Sequence, residues 1–188
     1  MVALVFKIVG IGGGIEGLVM ESVKTLHEAF DSKVNYVTYG SVPNELFNPR
    51  RSQYRADMIN LWLYNVFSNR LRSNEYLVAI IDVDAYVPGL NFVFGLATPP
   101  LKIASVYVPR LRFMATTEEG KVIERVRKEV MHEVGHLLGL EHCSNASCVM
   151  RFSNSIFDTD AKSWKYCIRC AEKLRSLGIK VSKEYVLS

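Results

Sequence analysis

Long apolar runs are absent from this 188-residue sequence. No stretch approaches the ~20 apolar residues that a membrane-spanning helix needs. The apolar run Val2–Val9 is interrupted by Lys7 and lacks the small-residue pattern of a cleaved export signal. We therefore expect a soluble, cytoplasmic protein without a membrane partner.

A concentrated block of charge is also absent. Lysine and arginine number 23 against 19 aspartates and glutamates, which gives a formal net charge of +4, and the excess is spread along the chain. This distribution gives no reason to expect nucleic acid as a partner. With 49% apolar and 22% charged residues, the composition predicts one globular domain over residues 1–188.

Histidine and cysteine are scarce, at four residues each, but most of them fall in one stretch. The clustered residues are His132, His136, His142, Cys143, Cys148, Cys167 and Cys170. Such clustering is typical of metal ligands. The remaining histidine, His27, is interpreted as an ordinary, partly exposed side chain.

Hydrophobic patterns predict an α/β first half with a mixed sheet. The predicted strands are Val2–Val9, Lys33–Tyr39, Tyr76–Ile81, Asn91–Leu96 and Ile103–Val108. The predicted helices are one with Val19, Val23, Leu26 and Phe30 on one face and a second, Gln53–Leu71, with Tyr54, Met58, Leu61 and Trp62 along one side. Because no helix separates the last two strands, we expect them to pair antiparallel or to form the edge of the sheet.

The second half is predicted to be helical. An apolar stripe defines a helix from about Thr117 to Leu138, formed by Ile123, Val126, Val130, Val134 and Leu137. Asp158 is interpreted as the N-cap of a last helix, whose inward side chains would be Trp164, Ile168, Ala171 and Leu174. We expect an N-terminal subdomain of about residues 1–139 and a small helical C-terminal subdomain of about 140–188.

The segment His132-Glu133-Val134-Gly135-His136 follows the H-E-x-x-H pattern. Residues four apart lie on nearly the same side of a helix, so the two imidazoles can share one Zn²⁺ ion. Glu133, beside a ligand, can reach a water on the metal without itself being a ligand. The pattern predicts a catalytic zinc site on this helix.

His142 is the candidate third ligand. In a continuous helix it would lie ~15 Å beyond His132, far outside a zinc bond of roughly 2 Å. Gly139 stands where the helix must stop, because glycine accepts the positive φ of a helix C-terminal turn. We therefore expect the chain to turn at Gly139 and bring His142 back to the ion.

This run resembles the zinc signature of the metzincin metallopeptidases. His142-Cys143, Cys148, Met150 and Cys167-Ile168-Arg169-Cys170 resemble more narrowly the archaemetzincins, a metzincin branch. The close resemblance covers about Lys128 to Cys170. It implies a metzincin-like mixed, twisted sheet with packed helices, an active-site helix and a small helical C-terminal subdomain that binds zinc.

The resemblance also implies roles for individual residues. These are catalytic zinc on His132, His136 and His142, Glu133 as general base, Met150 as the methionine turn, and a second zinc on Cys143, Cys148, Cys167 and Cys170. Two zinc ions per chain follow. Arg151 and Phe152 come after Met150, so a tyrosine of the kind that some metzincins use near the metal is missing, and no stabiliser of the transition state beyond zinc is assigned.

The four cysteines also suit a closed, structural zinc site on their own chemistry, because four thiolates leave no coordination position for a substrate. Since Cys143 is the neighbour of His142, fixing it restrains the loop that presents the third histidine. The alternative is two disulfides, which an oxidising compartment would favour.

These features predict hydrolysis of a peptide or an unfolded protein segment by a zinc-bound water that Glu133 activates. Ile103–Val108, if it lies at the sheet edge, can hold an extended substrate by backbone hydrogen bonds. The alternative function is a zinc-containing peptide-binding module without catalysis. The sequence predicts neither the oligomeric state nor the side-chain preference of the substrate.

Two weaker patterns are interpreted as structural. Gly12, Gly14 and Gly17 match a dinucleotide-binding pattern, but the strand Lys33–Tyr39 does not end in the acidic residue that a ribose needs, so we favour a turn into the first helix. Asp82 and Asp84 can bind a cation but are more simply polar residues at a strand end. Arg50, Arg51 and Arg55 are interpreted as a solvated face.

Overall fold

The computed structural model describes residues 3–67, 71–115 and 119–188. Its strands are β1 (Val5–Ile11), β2 (Lys33–Tyr39), β3 (Phe47–Asn48), β4 (Gln53–Arg55), β5 (Glu75–Ile81), β6 (Ala85–Tyr86), β7 (Gly95–Thr98) and β8 (Ile103–Tyr107). Its helices are α1 (Glu16–Phe30), α2 (Ala56–Phe67), α3 (Val108–Leu111), α4 (Glu119–Leu137), α5 (Ile156–Ala161) and α6 (Ile168–Ser176). No helix within these ranges is both long and apolar enough to cross a membrane.

The main sheet has the strand order β2-β1-β5-β8-β7. Four of its strands are parallel, and β7 runs antiparallel to β8. This confirms the predicted mixed sheet and the antiparallel pairing of its last two strands. The edge strands are β2 and β7, whereas β8 is paired on both sides and completely buried, so the expectation that Ile103–Val108 forms the edge is wrong.

Both faces of the sheet are covered because side chains alternate along each strand. In β5, Val78 and Ile80 pack with α1 and α4, while Leu77 and Ile81 pack with α2 on the opposite face. All four side chains are completely buried. A parallel sheet with helices on both faces is the arrangement that such continuously apolar strands favour.

The second predicted helix begins later than expected. Gln53–Arg55 forms β4, because Tyr54 pairs with Ala85 in β6 and its N–H donates to the carbonyl of Asp84 (2.9 Å). The buried face of α2 is formed by Ala56, Ile59, Asn60, Leu63 and Phe67. Met58 and Leu61, which the sequence pattern places along one apolar side of the helix, are 37% and 42% exposed. Residues 68–70 lie outside the described ranges.

Several predicted boundaries differ by a few residues. The predicted strand Val2–Val9 is observed as Val5–Ile11, with Val2 outside the described residues, and Asn91–Leu96 is observed as Gly95–Thr98. The long helix has its expected apolar stripe in α4, although its predicted start at Thr117 lies outside the described residues.

The predicted last helix is two helices, α5 and α6. Asp158 is the third residue of α5 instead of its N-cap, and Ser155 is the cap: its hydroxyl accepts from the Asp158 N–H (3.4 Å), while the Asp158 carboxylate accepts from the Ser155 N–H (3.0 Å). Ile168, expected inside, is 58% exposed at the start of α6.

The C-terminal segment packs directly against α4. The Tyr166 hydroxyl donates to the carbonyl of Met131 (2.7 Å), and the backbone of Tyr166 pairs with that of Tyr185 (2.9 Å). Both tyrosine side chains belong to the same apolar cluster as α1 and α4. The division into subdomains near residue 139 stays a prediction.

Candidate active site

The first two histidines lie on one side of α4, as the four-residue spacing predicts. Nδ1 of His132 is 2.8 Å from the carbonyl oxygen of Val149, and Nδ1 of His136 is 2.8 Å from that of Leu140. A carbonyl accepts only, so both Nδ1 atoms are donors and both Nε2 atoms carry free lone pairs. These two Nε2 atoms are 3.1 Å apart.

The helix stops as expected at Gly139, whose φ is +94°. The N–H of Gly139 donates to the carbonyl of His136 (3.1 Å), and the N–H of Leu140 donates to that of Gly135 (2.9 Å). This pair of bonds is the Schellman motif, in which glycine is strongly favoured at the left-handed position. The turn redirects the chain, and His142 returns to the other two histidines.

The three imidazoles converge on one point. The ring centroid of His142 is 5.4 Å from that of His132 and 4.8 Å from that of His136, and one nitrogen from each ring lies within 4.8 Å of the others. Lone pairs that face each other in this way repel unless a cation lies between them. Tetrahedral zinc bonded to imidazole nitrogens at 2.0–2.1 Å would place those nitrogens about 3.3 Å apart, so the donor set fits this ion.

Burial keeps these histidines neutral. It lowers the pKa of His132 well below the ordinary value of 6.5, and the nearby charge of Lys162 lowers it further. Burial also lowers the pKa values of His136 and His142. Neutral imidazole is the form that binds a metal, so the triad is ready to do so at neutral pH.

The side chain of Glu133, a residue of α4, lies against strand β7. A side chain on Gly95 would place its Cβ 2.6 Å from Cγ of Glu133, so only glycine lets the strand approach this carboxyl group. Burial, followed by the neighbouring charge of Glu129, raises the pKa of Glu133 to about 8. A raised carboxyl pKa close to the operating pH is suited to a group that must both accept and return a proton.

Met150 lies directly beneath the turn of α4 between His132 and His136. It is completely buried, and a Cβ on Gly135 would be only 2.3 Å from its Sδ atom. Its carbonyl accepts from the N–H of Cys143 (2.9 Å). Met150 therefore joins the floor of the histidine cluster to the segment that carries His142.

The four cysteines form a second cluster, with their sulfur atoms all within 4.8 Å of one another. Sγ of Cys143 is 3.7 Å from Sγ of Cys167, and Sγ of Cys148 is 3.8 Å from Sγ of Cys170. Tetrahedral zinc with 2.3 Å bonds to sulfur would separate the sulfurs by about 3.8 Å, whereas a disulfide requires about 2.05 Å. All four cysteines are free in the structure, so it does not contain the two disulfides of the alternative interpretation.

Hydrogen-bond donors surround these sulfurs. Sγ of Cys143 accepts from the N–H of Asn145 (3.5 Å) and from Arg169 (3.3 Å), and Sγ of Cys148 accepts from the N–H of Cys167 (3.3 Å). Burial raises the pKa of Cys143, but the Asn145 N–H and the Arg169 guanidinium lower it to about 7. Burial raises the pKa of Cys148 to about 11, so a metal must displace its proton.

A cavity of about 530 Å³ opens beside the histidines. Its wall is mostly apolar and includes Phe92, Phe94 and Phe152. Three charged side chains also line it: Glu129, Glu133 and Lys162. Because it contains the histidines and the buried glutamate, this cavity is the candidate active site.

Glu129, Lys162 and Gly95 also line this cavity, although the sequence patterns did not predict their place in it. Glu129 has a local signal, because it lies one helical turn before Glu133 on the same side of α4. Lys162 has none, since it reaches the site through contacts between segments distant in sequence. Such contacts depend on the complete fold.

The weaker motifs have structural partners. Arg112 pairs with Asp82 (2.5 Å), and Arg110 pairs with Asp84 (2.6 Å), so the interpretation of these acids as polar strand-end residues fits the structure. Gly12 and Gly14 both have positive φ in the turn before α1. Arg50 and Arg51 are exposed, as expected of a solvated face, and the guanidinium of Arg51 also stacks on Tyr86 at 4.1 Å.

Known sequences that are similar to this chain are metallopeptidases of one family. Residues 51–176 match peptidase family M54. The chain is 43% identical over 132 residues to an archaemetzincin of Aeropyrum pernix, covering 70% of each chain. It is 39% identical over 159 residues to an archaemetzincin of Pyrococcus furiosus, covering 82% of each.

Solved structures give a similar result. An archaemetzincin of Archaeoglobus fulgidus complexed with malonate has a TM-score of 0.77 at 33% identity, covering 90% of this chain and 99% of that one. An archaemetzincin of Methanopyrus kandleri has a TM-score of 0.78 at 31% identity, covering 93% and 94%. The mixed α/β fold is therefore that of the archaemetzincins, and the chain belongs to peptidase family M54, a family of zinc metallopeptidases.

Proposed function

We propose that this chain hydrolyses peptide bonds at a zinc ion held by His132, His136 and His142, with Glu133 as the general base. The observation that carries the proposal is the convergence of three neutral imidazoles next to a buried carboxyl group, inside a cavity large enough for part of a peptide. A solitary histidine cluster would bind a metal, but it would not supply a group that moves a proton.

The protein contributes position and proton transfer. When bound, zinc supplies Lewis-acid chemistry by lowering the pKa of water and polarising a peptide carbonyl. Glu133 accepts the proton of the attacking water and returns it to the departing amine. Gly95 holds this carboxyl group against α4, and the apolar wall of the cavity reduces access of bulk water to it.

Two further residues support the histidines. Gly139 provides the turn that returns His142 to the site, and Met150 packs beneath Gly135 in the turn of helix between His132 and His136. Neither Gly139 nor Met150 is proposed to contact the substrate. Their role is to fix the positions of the three imidazoles.

A second zinc ion is proposed at Cys143, Cys148, Cys167 and Cys170. Four thiolates complete its coordination, so its role is structural. Cys143 adjoins His142 and Cys148 precedes Val149, whose carbonyl accepts from His132. The structural zinc thus fixes two segments that position the catalytic histidines.

An extended peptide is proposed to bind along β7. Gly95, Leu96 and Ala97 of this strand line the cavity, and β7 is one of the two edge strands of the main sheet. A free strand edge offers backbone donors and acceptors to a peptide irrespective of its side chains. This assignment replaces the buried strand β8 suggested by sequence.

The test is hydrolysis of a peptide library by wild type and by Glu133→Ala. We expect cleavage by wild type and a loss of at least about 100-fold in the variant, because general-base catalysis typically contributes 10²–10⁴-fold. Zinc content of both proteins is measured as a control, since Glu133 is not a ligand. The same slow rate in both would instead favour the non-catalytic peptide-binding module.

A further inference from the structure

A buried ion pair lies at the wall of the cavity, apart from the proposed metal ligands and general base. Nζ of Lys162 is 3.3 Å from Oε1 of Glu129, and both residues are almost fully buried, at 2% and 3% exposure. Both line the cavity. A buried lysine is costly to desolvate, so its position beside a catalytic centre requires a reason.

The contacts of the Lys162 ammonium leave one donor for another group. It donates to Glu129 and to the carbonyl of Arg151 (3.3 Å), and an ammonium group has three N–H donors. Within residues 3–67, 71–115 and 119–188 no third acceptor is found for it. Its positive charge lowers the pKa values of His132, His136 and His142, so its field extends across the histidine cluster.

The position of Lys162 is fixed by the docking of α5 on α4. Asp160 accepts two hydrogen bonds from Arg125, each of 2.7 Å, and its carbonyl accepts from Lys128 (3.1 Å). Thr159, which is completely buried, donates to Glu129 (3.4 Å). The lysine is therefore held rigidly, as a recognition group must be.

A second polar group in the same wall lacks a partner. The hydroxyl oxygen of Ser153 is buried and has no hydrogen-bond partner in the described part of the chain. Ser153 lines the cavity and lies two residues after Arg151, whose carbonyl binds Lys162. A buried hydroxyl without a partner costs free energy unless a ligand supplies the hydrogen bond.

The charges in the cavity indicate that such a ligand is negatively charged. Glu129 and Lys162 carry opposite charges, and Glu133, whose pKa burial raises to about 8, adds at most one further negative charge. A divalent cation at the histidines would leave the cavity with a net charge of at least about +1, which favours a carboxylate as the ligand. A carboxylate also provides acceptors for both the free N–H of Lys162 and the hydroxyl of Ser153.

We propose that Lys162, together with Ser153, binds a carboxylate of the substrate close to the cleaved bond, so that this peptidase prefers acidic substrates. The inference rests on the proposed peptidase function and adds the substrate class. The carboxylate has two possible sources, an aspartate or glutamate side chain and the free C-terminus of a peptide. Lys162 is thus a specificity-determining residue.

The test uses two sets of matched peptides. In the first, one glutamate is moved along a neutral peptide blocked at both ends, with glutamine at each position as the isosteric control. In the second, the same neutral peptide ends in a free carboxylate or an amide. Affinities are measured by calorimetry with the Glu133→Ala variant, and kcat/KM is measured with active protein.

We expect the carboxylate to raise affinity and kcat/KM by about tenfold to hundredfold in one of the two sets. Lys162→Met should abolish that preference, which is measured as the ratio between each acidic peptide and its neutral partner. The set that responds identifies the source. No preference in either set, a preference that survives Lys162→Met, or an equal loss on acidic and neutral peptides would overturn the proposal.

Lys128→Met is the matched control. Lys128 is equally buried and also binds a glutamate, Glu124 (2.7 Å), and a backbone carbonyl, but it does not line the cavity. Because the two hydrogen bonds from Arg125 still hold Asp160, Lys128→Met should leave the carboxylate preference intact, and a similar loss there would overturn the proposal. Because Lys162→Met leaves Glu129 unpaired, the double variant with Glu129→Gln is tested as well, and it must also lose the preference.

Failure of the peptidase function and failure of the carboxylate site would give different results. Carboxylate-dependent binding without hydrolysis of any peptide would overturn the peptidase function and support the carboxylate site. Hydrolysis without discrimination between the matched peptides would support the function and overturn the role of Lys162.

Discussion

Gly135 and Met150 are packed so closely that the helix residue cannot carry a side chain: a Cβ on Gly135 would lie 2.3 Å from Sδ of Met150 and 3.2 Å from the ring of Tyr166. Gly135 lies between the two histidines of α4, and all the atoms that it meets are in completely buried side chains. The helix approaches the turn below it only because this position is glycine. The position of the two histidines on α4 therefore depends on a contact between Gly135 and Met150 that the H-E-x-x-H motif leaves unspecified.

Gly135→Ala is expected to destabilise the protein by about 1–3 kcal/mol, because the added methyl group overpacks a dense core. It should also weaken zinc binding at the histidines. Both are measured, by denaturant unfolding and by zinc content. Gly120→Ala is the control in the same helix, since its Cβ would meet nothing within 4 Å. An equal effect of the two substitutions would contradict the packing argument.

Gly95→Ala is expected to lower kcat without removing zinc. The new methyl group would lie 2.6 Å from Cγ and Oε1 of Glu133, so the carboxyl group must move from its place beside the histidines. Loss of a well-placed general base costs about 10²–10⁴-fold in rate, and a displaced one is expected to cost at least tenfold. Unchanged kcat with normal zinc content would show that Glu133 need not occupy this position.

Cys167→Ser is expected to reduce zinc at both clusters. The cysteine cluster holds the segment of His142 through Cys143 and the segment of Val149 through Cys148, so its loss loosens two supports of the histidines. Total zinc content and the affinity of the remaining zinc are compared with those of wild type. Retention of full zinc at the histidine cluster would contradict this coupling.

Asp160→Asn tests the attachment of α5 to α4. The hydrogen bonds from Arg125 hold the pKa of Asp160 below its ordinary value of 3.8, so its stabilising contribution is complete above that value and disappears as the pH falls through the lower, folded-state pKa. At pH 7 the variant should lose about 1.5–3 kcal/mol, the usual worth of charged hydrogen bonds.

The difference in free energy of unfolding between wild type and Asp160→Asn should shrink below about pH 4. It is measured by denaturant unfolding at a series of pH values from 7 to 2. A difference that stays constant over the acidic range would show that the Arg125–Asp160 pair contributes no charge-dependent stability.

Local patterns predicted much of the arrangement around the histidines. The four-residue spacing of His132 and His136 requires only a helix, and the stop at Gly139 requires only the left-handed conformation that glycine accepts. The helical spacing and the helix stop are both determined by residues that are close together in the sequence. The meeting of the three histidines was therefore predictable, whereas the contribution of Lys162 depended on how α5 docks.

Errors in the fold have similar physical causes. Asp158 resembles an N-cap by residue type, but Ser155 three residues earlier forms a reciprocal capping box with it and moves the start of the helix. The apolar side formed by Met58 and Leu61 is not the buried face of α2, because apolar residues occur on several sides of that helix and the strands beneath it decide which side is buried. The edge strand could not be identified because pairing order is a property of the whole sheet.

The most direct test of the account is zinc content per chain before and after mild chelation, in wild type and in His136→Ala. We predict two zinc ions in wild type, of which mild chelation removes one, since three imidazoles hold the ion less tightly than four thiolates. His136→Ala should retain one zinc that resists the chelator. A wild-type content of one zinc, or two in the His136→Ala variant, would contradict the assignment of one ion to the histidines and one to the cysteines.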